Sequence, residues 1–311
     1  MSALSRASDT TTFLRLPSLP IYSNLTNTIP LCSFKFHINH RYRQRHSLIS
    51  PHLLKTPNPF PTMAHSNNPS SDTVDPTCAE IIVVRHGETV WNVDGRLQGH
   101  IDVELNEVGR EQAAVVADRL SREFKVSAVY SSDLKRAFET AEKIAATCGI
   151  AEVIKDPDLR ERHLGDLQGL VLQEAAKVSA VAYRAFKSHR TNQDIPGGGE
   201  SLDKLYDRCT SSLERIAAKH TGERVVVVTH GGVIRELYQR ACPNGKSGGR
   251  VLNTSINIFH IFDGDRWTIK TWGDVSHLNE TGYLKSGFGG DKTSGSSFLD
   301  MERYVWDKEW E

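Results

Sequence analysis

Long apolar runs are missing from this chain. No stretch approaches the ~18–20 consecutive apolar residues of a membrane-crossing helix, so no helical span is expected. Paired cysteines are missing too. The five cysteines, Cys32, Cys78, Cys148, Cys209 and Cys242, are odd in number and form no CxxC. That excludes the usual cysteine-based zinc patterns and fits a reducing compartment better than a disulfide framework. The HExxH spacing of zinc hydrolases is absent as well. Acidic residues are nearly missing from one region. Residues 1–71 hold Asp9 alone against Arg6, Arg15, Lys35, Arg41, Arg43, Arg45 and Lys55. The whole chain of 311 residues balances 38 Lys and Arg against 38 Asp and Glu, so the remaining 240 residues carry a net charge of −6. An acidic body argues against non-specific nucleic-acid binding, which needs a basic footprint.

The region poor in acid is rich in serine, with eleven in residues 1–71 beside Thr, Pro, Asn and Arg. That is the composition of an organelle transit peptide, and no apolar h-region of a secretory signal is present. Residues 1–75 are therefore expected to be a disordered extension that directs the chain to the chloroplast, ahead of the mitochondrion. Initiation at Met63 would give a cytosolic form without it.

From residue 76 to 283 strand and helix alternate. The run Ile81-Ile82-Val83-Val84 is continuously apolar. Residues 106–124 read as a helix with Asn106 as N-cap, and 126–130 as a strand. Leu134, Ala137, Phe138, Ala141, Ile144, Ala145 and Cys148 then fall on one helical face. Leu202, Leu205, Tyr206, Cys209, Leu213, Ile216 and Ala217 do the same over 201–220. Cys148 and Cys209 thus read as packing residues. A second apolar run, Val225 to Val228, precedes a helix near 232–242. Strands near 255–262 and 266–272 are joined by Asp263-Gly264-Asp265, a good hairpin turn. Continuous apolar strands are buried on both faces, which predicts an α/β fold: a three-layer α/β/α sandwich around a mainly parallel sheet. Ligands in such folds bind beyond the carboxyl ends of the strands. Residues 284–311, Gly- and Ser-rich and then aromatic, read as a linker and a terminal tail.

Both apolar runs end alike. Val83-Val84 leads to Arg85-His86-Gly87, and Val227-Val228 leads to Thr229-His230-Gly231-Gly232. A histidine followed by glycine stands past the end of each strand, where glycine lets the backbone turn sharply. The first string continues as Glu88-Thr89-Val90-Trp91-Asn92. Further on come Ser131-Ser132-Asp133-Leu134-Lys135-Arg136-Ala137, Leu159-Arg160-Glu161-Arg162-His163-Leu164-Gly165 and Gly199-Glu200-Ser201. Together and in this order these strings resemble the histidine phosphatase superfamily, also called phosphoglycerate mutase-like, over residues 80–279.

The resemblance implies the chemistry. His86 becomes the nucleophile that forms a phosphohistidine. Arg85 and Arg136 grip phosphate oxygens through forked guanidinium groups and disfavour the imidazolium. His230 and Asn92 hydrogen-bond the transferring phosphoryl group, with Thr89, Gln98, Gly99 and Gly231 around it. Glu161 serves as acid and then base. The family works without metal or other cofactor, and Arg85, Arg136 and Arg162 would repel a cation. Gly245-Lys246-Ser247 is no P-loop, because the glycine needed five places earlier is Arg240.

Two fates of phosphohistidine separate a phosphatase from a cofactor-dependent mutase. A phosphatase admits water, and a mutase returns the group to a second hydroxyl. In the mutases the insertion after Glu161 is longer, with an Arg-Arg pair and a Pro-rich stretch. Here 170–196 has no Arg-Arg and only Pro196, and the mutases' closing tail is not recognisable in 284–311. A less covered site leaks water, so the sequence favours a phosphomonoesterase acting on a small phosphorylated metabolite. Arg162, His163 and the basic residues Lys177, Arg184, Lys187, His189 and Arg190 offer partners for a substrate carboxylate, several of them only as a solvated helix face. The match to metal-independent phosphoserine phosphatases across Glu161–Glu200 makes phosphoserine the first expectation. A phosphoglycerate mutase, a broad sugar-phosphate phosphatase and a non-catalytic phosphate-binding module are the alternatives. No nucleic-acid or membrane partner is expected, and a homodimer is left open.

Overall fold

The computed structural model describes residues 73–245, 248–263 and 266–279. The expected extension over 1–71, the tail over 284–311 and the tip of the hairpin turn at Gly264-Asp265 lie outside the described residues.

Two valine-rich strands form the centre. β1 (Cys78–Arg85) and β4 (Arg224–Thr229) pair in parallel, with Ile81 opposite Val225 and Arg85 opposite Thr229. β2 (Ala128–Ser131) joins β4 in parallel, and β3 (Val153–Lys155) joins β2 in parallel. On the other flank β5 (Ile256–Phe262) runs antiparallel to β1, and β6 (Arg266–Asp274) antiparallel to β5. The strand order is β3-β2-β4-β1-β5-β6. The sheet is therefore mostly parallel, as expected, with an antiparallel edge.

Helices cover both faces. After the short α1 (Val90–Val93), α2 (Glu107–Glu123) and α3 (Lys135–Cys148) bury Val116, Leu120, Ala141 and Ile144 against Ile82, Val84, Val226 and Val228. Between β3 and the next long helix come α4 (Leu172–Val178) and α5 (Ala180–Phe186). α6 (Leu202–Lys219) and α7 (Gly231–Ala241) bury Leu205, Leu213, Ile234 and Leu237 against Ile81, Val83, Val225 and Val227. Alternate residues of each central strand thus feed opposite cores, which is why the runs are apolar without a break. A final turn, α8 (Ser276–Asn279), closes the described body.

The helix starts follow their caps. Asn106 Oδ1 accepts from Gly109 N at 2.7 Å, and Ser201 Oγ from Lys204 N at 3.2 Å. α3 ends on Gly149 in the left-handed region, φ 73°. The expected strand at 126–130 sits later, at Ala128–Ser131, because β4 begins only at Arg224 and its register with β2 starts at Ala128 opposite Val225. The short elements escape pattern reading, α1 and α8 among them. β3 is three residues long with Ile154 exposed at the sheet edge, and α4 and α5 are seven residues each around a small core of Leu164, Leu167, Ala175, Ala182 and Ile195.

The first turn of α2 carries the backbone of the His86 loop. A Cβ on Gly109 would strike Glu88 O, and one on Gly87 would strike Gly109 O. Alanine in a helix interior gains about 1 kcal/mol over glycine, but backbone cannot yield as a side chain can, and overpacking costs about 1–3 kcal/mol. Gly109→Ala should therefore lower the thermal unfolding midpoint despite its better propensity; a raised midpoint would show that the loop gives way freely.

Candidate active site

The parallel register places two histidines side by side. His86 N donates to Thr229 O at 2.9 Å, continuing the β1–β4 ladder by one bond past the strand. His86 and His230 therefore leave adjacent strands together, with ring centroids 5.1 Å apart and planes at 56°. Both rings are buried, His86 at 3% exposure and His230 at 0%. His86 Nδ1 lies 2.7 Å from Gly87 O. A carbonyl only accepts, so Nδ1 carries the hydrogen and Nε2 keeps its lone pair. Burial first, then Arg136 and Arg85, push His86 well below the usual histidine value. His230 is pushed down by burial and by Arg136, and its Nε2 meets Ser132 Oγ at 2.9 Å.

Arg136, on α3, is 1% exposed, and burial lowers its guanidinium to about 10, still cationic at neutral pH. The guanidinium of Arg136 is steadied by backbone: Nη1 donates to Ile101 O at 3.0 Å and Nη2 to Gly99 O at 2.8 Å, which uses two of its five N–H donors. Its Nε is buried with no hydrogen-bond partner among the described residues, and so is His230 Nδ1. Buried polar atoms are rarely left unpaired, and a buried cation needs an anion. A phosphoryl group fits both needs. Arg85 Nη1 donates to Val251 O at 2.6 Å, and Gly231, which opens α7, leaves a built Cβ 3.7 Å from Arg85 Nε.

The remaining predicted residues line the approach. Thr89 and Asn92 form a reciprocal cap on α1: Asn92 N donates to Thr89 Oγ1, and Thr89 N to Asn92 Oδ1, both at 3.1 Å. The Asn92 carbonyl is thereby committed to structure, so any bond to phosphate falls to its amide nitrogen. Gln98 is 8% exposed, and its Oε1 is buried without a partner among the described residues. Gly99 takes φ 52°, and a Cβ there would strike Gln168, whose Oε1 accepts from His100 N at 2.7 Å.

Glu161 reaches the same strand ends from another loop. Its Oε1 accepts from Arg162 N at 2.8 Å and its Oε2 from Gly232 N at 3.0 Å. Gly232 lies in the first turn of α7, where unpaired amides and the helix dipole favour a carboxylate. A Cβ at position 232 would strike Glu161 Oε1, so any larger residue there would displace the carboxylate. Arg162 donates Nε to Glu200 O at 3.0 Å, and His163 N donates to Glu200 Oε2 at 2.8 Å. His163 stands edge-on to His100, ring centroids 4.8 Å apart. Of the basic residues on α4, α5 and the loop after them, Lys177, Arg184, His189 and Arg190 are exposed, and Lys187 is half-buried.

Four supporting residues were not singled out from sequence. Ser132 meets His230. Asn253 Nδ2 donates to His86 O at 2.9 Å. Arg208 donates to the carbonyls of Asp158, Arg160 and Glu161 and to both oxygens of Glu200. Glu236, on α7, is a buried carboxyl that burial pushes up to about 7. Ser132 lay inside a quoted motif. An arginine, asparagine or glutamate on a helix or in a polar turn carries no signal of its own. Among the described residues no cluster of three or more His, Cys, Asp or Glu side chains is placed to hold a metal ion.

Two buried histidines, the buried Arg136, the half-buried Arg85 and a helix-capped carboxylate at the carboxyl edge of a mostly parallel sheet make up a site suited to phosphoryl transfer. The family model of the histidine phosphatase superfamily (branch 1) matches residues 81–275, and the chain belongs to that family. It is 68% identical over 224 residues to phosphoglycerate mutase-like protein 4 of Arabidopsis thaliana, covering 72% of this chain and 97% of that one. It is 54% identical over 218 residues to the metal-independent phosphoserine phosphatase of the same plant, covering 70% and 91%. Among solved structures, phosphoserine phosphatase from Entamoeba histolytica in complex with 3-phosphoglyceric acid is 27% identical with a TM-score of 0.56, covering 64% of this chain and 99% of that one.

The surroundings of His86 make a direct spectroscopic demand. In 15N-labelled protein, the resonances lost in His86→Ala should report a neutral ring with hydrogen on Nδ1, unchanged as pH falls from 8 through 6.5. A titration step at the ordinary histidine value would contradict the shielding by burial and arginine.

Proposed function

We propose that this phosphatase hydrolyses a small phosphomonoester through a phosphohistidine on His86, without metal, and that phosphoserine is its first substrate. One observation carries the reading: His86 is a neutral, buried imidazole with Nδ1 tied to Gly87 O and Nε2 unprotonated beside Arg85 and Arg136. Nε2 attacks phosphorus and the ester P–O bond breaks. A proton brought in by the substrate's phosphate monoanion passes through Glu161 to the leaving oxygen. Water then attacks the phosphohistidine, its proton returns to Glu161, the P–N bond breaks and phosphate leaves. Arg85, Arg136 Nε, His230 and the amide of Asn92 complement the charge on the peripheral oxygens during both transfers. Arg162 and His163, flanking Glu161, supply the partners for a substrate carboxylate.

Phosphoserine is favoured by the 54% identity to a metal-independent phosphoserine phosphatase. A second reading, phosphoglycerate mutase, draws on the mutase-like name of the relative at 68% identity. Against it stands the segment 170–196, which lacks the Arg-Arg pair and the Pro-rich stretch of the mutases and folds into only two seven-residue helices.

Phosphate release with excess EDTA, comparing phosphoserine, 3-phosphoglycerate and an aryl phosphate, separates the readings. Release from phosphoserine supports the phosphatase. Conversion of 3- to 2-phosphoglycerate in the presence of 2,3-bisphosphoglycerate, without phosphate release, supports the mutase. Glu161→Gln should slow turnover by about 10²–10⁴-fold, the usual worth of general acid–base catalysis, with substrate still bound. His86→Ala should give no acid-labile phosphoprotein after rapid quench with 32P-labelled substrate; label retained in that variant would remove His86 from the role.

A further inference from the structure

One buried group beside the site takes no part in the phosphoryl chemistry. Glu236 is 5% exposed, and its Oε1 has no hydrogen-bond partner among the described residues. A carboxyl in that condition costs stability unless something uses it. It sits four residues after Gly232 on α7, hence on the same helical face. Helical side chains lean toward the N-terminus, which carries the Glu236 carboxyl toward the turn where Gly232 N holds Glu161. Its charged surroundings agree. Arg162 acts on it most strongly, followed by Arg235, Asp203 and Glu161. In return, Glu236 is the foremost acidic influence on Arg162.

Arg162 and Glu236 feel each other's charge, with no ion pair between them among the described residues. The side chain of Arg162 donates Nε to Glu200 O at 3.0 Å, and its terminal nitrogens still carry N–H donors. A cationic fork and an unsatisfied carboxyl oxygen therefore stand together on the leaving-group side of the site, next to Glu161. A hydroxy acid phosphate would satisfy the fork alone. A phosphorylated amino acid brings a carboxylate for the fork and an ammonium for the carboxyl. We propose that Glu236 is a specificity residue that receives the α-ammonium of an amino-acid phosphomonoester while Arg162 receives its carboxylate. The inference rests on the phosphomonoesterase reading above and names the chemistry by which that site would choose phosphoserine over 3-phosphoglycerate. Burial pushes the Glu236 carboxyl up to about 7 in the free protein, and an arriving ammonium favours its charged form.

The test compares kcat/KM for phosphoserine, 3-phosphoglycerate and phosphoethanolamine in the full chain and in Glu236→Gln. A hydrogen-bonded charge pair lost from a buried site corresponds to roughly ten- to hundredfold. Glu236→Gln should lower the phosphoserine to 3-phosphoglycerate ratio by about that factor, chiefly through KM, and phosphoethanolamine should fall in parallel with phosphoserine. A ratio that stays constant while all three substrates fall together would assign Glu236 a structural role and overturn the proposal. Should Glu236→Gln fail to fold, Glu236→Asp carries the test, since it keeps the charge but withdraws it by one methylene; an unchanged ratio overturns the proposal equally. Wild-type protein that releases phosphate from 3-phosphoglycerate and none from phosphoserine would overturn both the substrate reading and this one. An active wild type with an unchanged variant ratio overturns this one alone.

Discussion

The site depends on the register between two strands. β1 and β4 each present a run of interchangeable β-branched residues, so apolar burial alone would accept several alignments. A slip of one residue would exchange the two cores and send every side chain to the opposite face. Polar contacts at the two ends remove that freedom. At the amino ends Arg224 pairs with Glu80, which also meets His260 at 2.8 Å. At the carboxyl ends His86 N bonds Thr229 O. Between these two clamps the valines have only one way to lie, and His86 and His230 emerge as neighbours.

That alignment sets an electrostatic problem whose solution is the chemistry. Arg85 and Arg136 are brought beside two imidazoles in a region with little water, where like charge and desolvation together exclude the imidazolium. In the proposed chemistry His86 is thus kept neutral by burial and by the same cations that would complement the phosphoryl group. The turn before β5 completes the arrangement. Val251 O takes Arg85, Asn253 holds the His86 carbonyl, and Thr254 N bonds Arg85 O from a positive φ of 54°. A β-branched residue pays strain in that conformation. It is tolerated where three backbone and side-chain bonds around Arg85 and His86 fix the turn.

The sequence spoke clearly wherever structure is periodic or where a residue type is required by geometry. Two continuous apolar runs implied a covered parallel sheet, and Asn106 and Ser201 marked the starts of their helices. Glycines after His86 and His230 pointed to the strand ends. What stayed illegible depends on distance in the chain. Arg208 looks like any charged residue on an amphipathic helix until α6 brings it under the carbonyls of residues 158–161. Asn253 and Glu236 are equally ordinary in their own segments. The backbone partners of Arg136 were illegible for a related reason. Which donors of a guanidinium remain available is decided by carbonyls of another loop, Gly99 and Ile101, that no local pattern reveals.

The two halves of the site are held by different forces. The His86 half is anchored by strands whose cores are wholly apolar. The Glu161 half is a loop without regular structure, laced by Arg208 to three carbonyls and to Glu200. Burial works against the Glu200 carboxylate, yet the hydrogen bonds of Arg208 hold it below its usual range, so its grip persists above that range and fades as protons fill it. Apolar packing responds instead to temperature and weakens on cooling. Cold would weaken the packing beneath His86, and acid would weaken the hydrogen bonds that brace the Glu161 loop. The two halves of one site therefore answer to different environmental stresses.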